Sequence, residues 1–168
     1  MRFRVIFYLI ITVLLNSCAS PKAENFRDFI VSQERVAFDI IAGKNGAEFQ
    51  KQEYIINENY SEALKAVEEQ KKMFRNITQQ IRLYNSDGIE QAGSLKKAAL
   101  DYYTTLGALY YYDKGLIELQ MSHKEPTQIA DFYSDMLKKK KKLYEELYRK
   151  ELLLSKALNR FENANNLR

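Results

Sequence analysis

The chain has 168 residues, with 26 basic and 22 acidic side chains, one His, one Cys and no Trp. A formal net charge of +4 lacks the one-sided basic excess of a nucleic-acid binder. A single Cys excludes an internal disulfide framework, and the length fits one domain.

The first element is a leader over residues 1–17. Arg2 and Arg4 form a basic start, Phe3 and residues 5–15 an apolar core broken only by Thr12, and Leu15-Asn16-Ser17-Cys18 closes it. Basic, apolar, then a small-residue cut site is the order of a secretory signal. The apolar run falls well short of the roughly 20 residues that span a membrane. Leu15, three before the Cys, and Ser17, just before it, make the segment resemble the lipoprotein signal peptides of bacteria. Asn16 between them is a less usual residue. The resemblance implies that the Cys18 thiol takes a diacylglycerol, that cleavage makes Cys18 the first residue, and that its amine is acylated with a fatty acid such as palmitate. A signal peptide cut elsewhere and a signal anchor are the alternatives. Each buried methylene of a lipid chain contributes about 0.8 kcal/mol, so two or three chains hold a protein on a membrane.

Residues 18–24 read as a short polar tether, interrupted by Pro21. Ala19 after the Cys fits the sorting rule for outer-membrane lipoproteins better than inner-membrane retention. Loss of residues 1–17 removes Arg2 and Arg4, leaving 24 basic against 22 acidic residues and a net charge of +2.

Residues 25–168 read as an all-α domain, a four-helix up-down bundle with long second and fourth helices. In the first helix, residues 25–42, Phe26, Phe29, Ile30, Val36, Ala37, Ile40 and Ile41 form a stripe. Gly43-Lys44-Asn45-Gly46 breaks it, with Gly able to take a left-handed C-cap conformation. The second helix spans residues 47–84, with Asn57-Glu58-Asn59 a point where it bends or starts late. Ser94 is the expected N-cap of the third helix. Its apolar face is the widest in the chain, with Leu95, Tyr102, Leu109 and Leu116 seven apart, which predicts a central position. The fourth helix, residues 127–163, carries Ile129, Phe132, Met136, Leu143, Leu147, Leu154, Leu158 and Phe161 at core spacing.

Chemistry is sparse. A carboxylate-bridged iron site needs Glu-x-x-His twice, yet the single His123 has Gln120 three residues before it. Zinc lacks His and Cys ligands too. We expect no metal and no cofactor. Nucleophilic catalysis finds no motif, because Cys18 is committed to lipid and no base–orienter pair stands beside a nucleophile. We expect no catalytic residues. The run Lys138 to Lys142 reads first as a solvated helix face, paired with Asp135, Glu145 and Glu146 at spacing four, each pair contributing about 0.2–0.5 kcal/mol. A run of five wraps more than one turn, so Lys140 is expected over the core seam, its stem buried and its head in water. Tyr103, Tyr110 and Tyr111 cannot all face one core. An exposed Tyr patch there is the expected partner-binding surface, since Tyr favours recognition.

Asn25-Phe26-Arg27-Asp28-Phe29-Ile30, the run Leu95-Lys96-Lys97-Ala98-Ala99-Leu100-Asp101-Tyr102-Tyr103, and the ending Phe161-Glu162-Asn163-Ala164-Asn165-Asn166-Leu167 complete a second resemblance. With the lipobox, the chain resembles an uncharacterised family of small helical bacterial surface lipoproteins, of leptospiral type. That resemblance implies a helical fold and surface exposure, and brings no catalytic residues. The expected function is a lipid-anchored envelope protein with a non-enzymatic binding or structural role toward a protein or glycan. The alternative is a carrier of lipid or another small apolar ligand in a cleft between helices. Oligomeric state is not fixed by the sequence.

Overall fold

The computed structural model describes residues 20–122 and 126–167, without the side chains of residues 126–129. Leu15, Ser17, Cys18 and His123 lie outside the described residues. The described residues form helices and no strand: α1 Pro21–Ala42, α2 Ala47–Ile56, α3 Tyr60–Leu83, α4 Ala92–Tyr111, α5 Asp113–Met121 and α6 Pro126–Ala164. Only Tyr112 separates α4 from α5. Its backbone stays helical, and its N–H still donates to the Ala108 carbonyl at 3.1 Å. Four long rods therefore remain (α1, α3, α4–α5 and α6), with α2 a short side arm.

The start of α1 differs from the expected boundary. Pro21 opens the helix rather than blocking it, because Pro at the first helical position gives up an N–H that has no helical partner there. Ala23, assigned above to the tether, is fully buried. At the other end, Gly43 is not left-handed (φ −63°). Its role is close approach, since a Cβ there would lie 2.4 Å from the Asp39 carbonyl oxygen.

The larger difference is at Asn57-Glu58-Asn59. The chain reverses there, so α2 and α3 form a helical hairpin rather than one long rod. Asn59 N–H donates to Tyr54 O at 2.8 Å and Glu58 N–H to Ile55 O at 3.0 Å, with Glu58 left-handed at φ 56°. This is the Schellman arrangement, built here on Glu instead of Gly. The Asn59 side chain then caps α3 by accepting from Glu62 N–H. Glu48 on α2 consequently lies beside Gln70 on α3. The start of α4 also shifts: Gln91, left-handed at φ 57°, precedes Ala92, and Ser94 sits inside the first turn.

The rod containing α4 is central, as its broad apolar face predicts. It packs against α3 on one side and α6 on the other. Phe74 of α3 stacks on Tyr110 of α4 at 5.9 Å, and Gly107 lets the two helices approach closely. Asp101 of α4 pairs with Lys150 of α6 at 3.6 Å. Where α1 begins, Phe26 packs on Phe161 (5.6 Å) and Tyr84 (5.1 Å), joining the start of the domain to its end. Phe26, Ile81, Leu95, Ala99 and Phe161 are fully buried there. Each large apolar side chain so buried contributes roughly 1.5–3 kcal/mol.

Candidate functional site

Three charged side chains stand in apolar stripes. Lys51 follows Ala47 by four residues on α2, Asp113 precedes Ile117 by four on α5, and Lys140 follows Met136 by four on α6. The hairpin turn carries α2 back over the bundle and drives Lys51 inward, where it is completely buried. Its Nζ lies 2.5 Å from Asp113 Oδ2 and 2.7 Å from Glu48 Oε2. Lys140 Nζ donates to the other Asp113 oxygen. Gln70 of α3 donates to Glu48 at 3.0 Å, and the Tyr110 ring lies 5.7 Å from the Lys51 ammonium.

Two ammoniums and two carboxylates thus meet at the junction of α2, α3, α5 and α6. The cluster is charge-neutral as a whole. A buried ammonium is tolerable only when paired and hydrogen-bonded, and Lys51 has two carboxylates. That arrangement does not make a nucleophile. A reactive amine must be neutral and reachable, whereas Lys51 has no exposed surface and is held between acids. The geometry instead locks the relative register of four helices.

Lys140 lies over the core seam, as its position in the run implies. Its head, however, turns inward to Asp113 rather than into water. The rest of the run also departs from the expected pairing. Asp135 pairs with Lys138 at 3.3 Å rather than with Lys139.

The Tyr patch on the third helix is not exposed. Tyr103 is 2 % exposed, and Tyr110 and Tyr111 are half-buried. The expectation assumed one packing face, but this rod has neighbours on several sides, so rings 100° apart all meet protein. Tyr103 lines a groove of about 260 Å³ between α3 and α4 with Phe74, Lys71 and Tyr111. Burial pushes the Tyr103 hydroxyl well above the usual phenol range and Tyr110 up to about 12. Tyr111 lies under Lys71 Nζ, 3.6 Å from its ring centre, and donates to Glu68 at 3.3 Å. Lys114, at 2.9 Å, holds Glu68 below the usual carboxylate range. Tyr102, on the apolar face of α4, is half-buried and packs against the core. Among the described residues the exposed tyrosines are on α6: Tyr133, Tyr144 and Tyr148.

Sequence reading missed Lys51, Glu48, Gln70 and Asp113. The signal at Lys51 and Asp113 was charge of opposite sign at stripe positions of two helices, α2 and α5. It needed the α2 reversal to be legible. Among the described residues no group of acids, His and Cys is placed to hold a metal ion, and no helix is long and apolar enough to cross a membrane. Comparison with protein-family models, curated proteins and solved structures yields no match.

Proposed function

We propose that this is a bacterial lipoprotein: exported, cut before Cys18, and held by lipid on that residue at the cell envelope, the outer membrane or cell surface being favoured. Its domain is read as an up-down helical bundle that binds a protein or glycan, or has a structural role, without catalysis. The observation that carries the reading is Leu15-Asn16-Ser17-Cys18 at the end of a short apolar segment behind two arginines. The fold supports it in one respect. Helix α1 starts at Pro21, only three residues after Cys18, and is packed from Ala23 onward. A lipid on Cys18 would hold that end of the bundle close to the membrane.

A carrier function is less well supported. The aromatic groove between α3 and α4, at about 260 Å³, is smaller than the roughly 300–1,000 Å³ of ordinary ligand sites. Replacing Cys18 with Ser tests the anchor. The variant should lose fatty-acid labelling and membrane retention, because the chain has no other thiol. Continued labelling of the Ser variant would defeat the proposal.

A further inference from the structure

Helix α6 has two apolar faces. One is buried and includes Met136 and Phe161. The other is left exposed by the described residues: Tyr133 (45 % exposed), Leu137 (48 %), Tyr144 (53 %), Tyr148 (62 %) and Leu152 (44 %). Their spacing of four, seven, four and four residues puts them on one side of the helix. Isolated exposed apolar residues need no explanation, but five such side chains along one side of a helix, two before and three after Lys141, mark an interaction surface.

The charges on the same helix say what fits it. Along α6 they run acidic (Asp131, Asp135), basic (Lys138 to Lys142), acidic (Glu145, Glu146), then basic (Arg149, Lys150), a block that Glu151 ends. Among the described residues, Lys139, Lys141, Lys142, Glu145, Glu146 and Arg149 take part in no ion pair of this chain. A sequence of alternating blocks is complementary to itself when reversed.

We propose that the stripe is a homodimer interface, in which α6 of a second copy lies antiparallel with the two-fold axis between Lys141 and Lys142. In that register Leu137 of one copy sits between Tyr144 and Tyr148 of the other. Tyr133 sits between Tyr148 and Leu152. Lys138 meets Glu145 twice, once on each side of the axis, and Asp131 comes within a turn of Arg149. Lys141 faces its own counterpart, with Glu145 one turn away in each copy to offset the repulsion. A parallel, in-register pair would instead set the whole lysine run against itself. The two-fold makes every contact occur twice, as a closed dimer requires.

The exposed parts of the five side chains amount to on the order of 500 Å² per copy, taking roughly 200 Å² for each aromatic ring. The pair therefore buries about 1,000 Å², the lower limit for a specific interface, so a weak, reversible dimer is expected. Packing of Phe26 on Phe161 places the start of α1 beside the end of α6. The two α1 starts then lie about 60 Å apart, from 1.5 Å per residue along α6. The interface itself does not depend on the anchor.

Cysteine cross-linking in membranes from cells making the full chain tests this. The parental chain, whose sole thiol is Cys18, is the control. Lys141→Cys, beside the axis, should give a disulfide-linked dimer well above that control. Tyr133→Cys should not cross-link to itself, because its counterpart lies about 25 Å away along the helix. Adding Lys138→Glu to the Lys141→Cys chain should cut the cross-linked fraction at least tenfold. Adding Glu145→Lys as well should restore it. All these positions are exposed, so loss of folding does not imitate the result. Three outcomes overturn the proposal: no dimer from Lys141→Cys, equal dimer from Tyr133→Cys, or no effect of Lys138→Glu.

Discussion

Replacing Lys51 with Met should destabilise the protein by about 3 kcal/mol, at the low end of the roughly 3–5 kcal/mol that follows loss of one partner of a buried ion pair. The structure sets the place in that range. Removal of the ammonium leaves Asp113 and Glu48 in the protein with one cation fewer. Lys140 still neutralises Asp113, and the Glu48 side chain is 16 % exposed, so part of the lost pairing is recovered from a neighbour and from water. Asp113→Leu should cost more, about 5 kcal/mol, because it strips a carboxylate from Lys51 and Lys140 together. The pair Lys51→Met with Asp113→Leu should cost less than the sum by at least about 2 kcal/mol, since neither Lys51 nor Asp113 is then left without the other, and the remaining Glu48 and Lys140 both reach water. Urea unfolding followed by far-UV circular dichroism measures each term, provided the slope with denaturant is unchanged. The reasoning fails if both single variants lie within about 1 kcal/mol of the parent and their effects add.

Other outcomes follow from single contacts. Gly107→Ala should destabilise by about 1–3 kcal/mol despite the better helix propensity of Ala, because its Cβ would lie 2.9 Å from the Phe74 Cβ, an atom tied to the α3 backbone. Gly115→Ala meets the far end of the unbranched Met136 side chain, its methyl at 2.8 Å and its sulfur at 3.5 Å, and should be neutral or stabilising by up to about 1 kcal/mol; thermal melts compare the two. Tyr103→Ser should destabilise by about 3–5 kcal/mol, as loss of a buried ring does, and the same melts should show a large fall. Stability should also fall at alkaline pH. Burial raises Tyr102, Tyr103 and Tyr110, so above pH 10 the folded state holds protons that the unfolded state has lost. Their contribution is full below pH 10 and declines as pH rises, for Tyr110 through about 12; phenolate absorbance during titration should lag that of the unfolded chain.

Helical periodicity carried most of the architecture. The seven-residue spacing of Leu95, Tyr102 and Leu109 predicted the central rod, and Phe26, Ile30, Ala37 and Ile40 of the first stripe are buried as expected, whereas Val36 of that stripe is exposed. What failed was local turn chemistry. Asn57-Glu58-Asn59 reads as a bend because the left-handed residue of its Schellman turn is Glu58, a residue type with no intrinsic preference for that conformation. The missed reversal hid the site as well. In a continuous helix over residues 47–84 nothing brings Lys51 to Asp113, since the two are 62 residues apart and meet only once α2 folds back. Lys140 was placed correctly because its evidence was local, a run too long for one polar face. The direction of its head was not, since Asp113 comes from another helix.

The proposed function rests on Cys18, and the N-terminal peptide of the protein extracted from membranes tests it most directly. Mass spectrometry after trypsin should find a peptide over residues 18–22, beginning at Cys18, that carries a diacylglycerol thioether and an N-linked acyl chain. A mature N-terminus at any other residue, or Cys18 with a free thiol, would contradict the account.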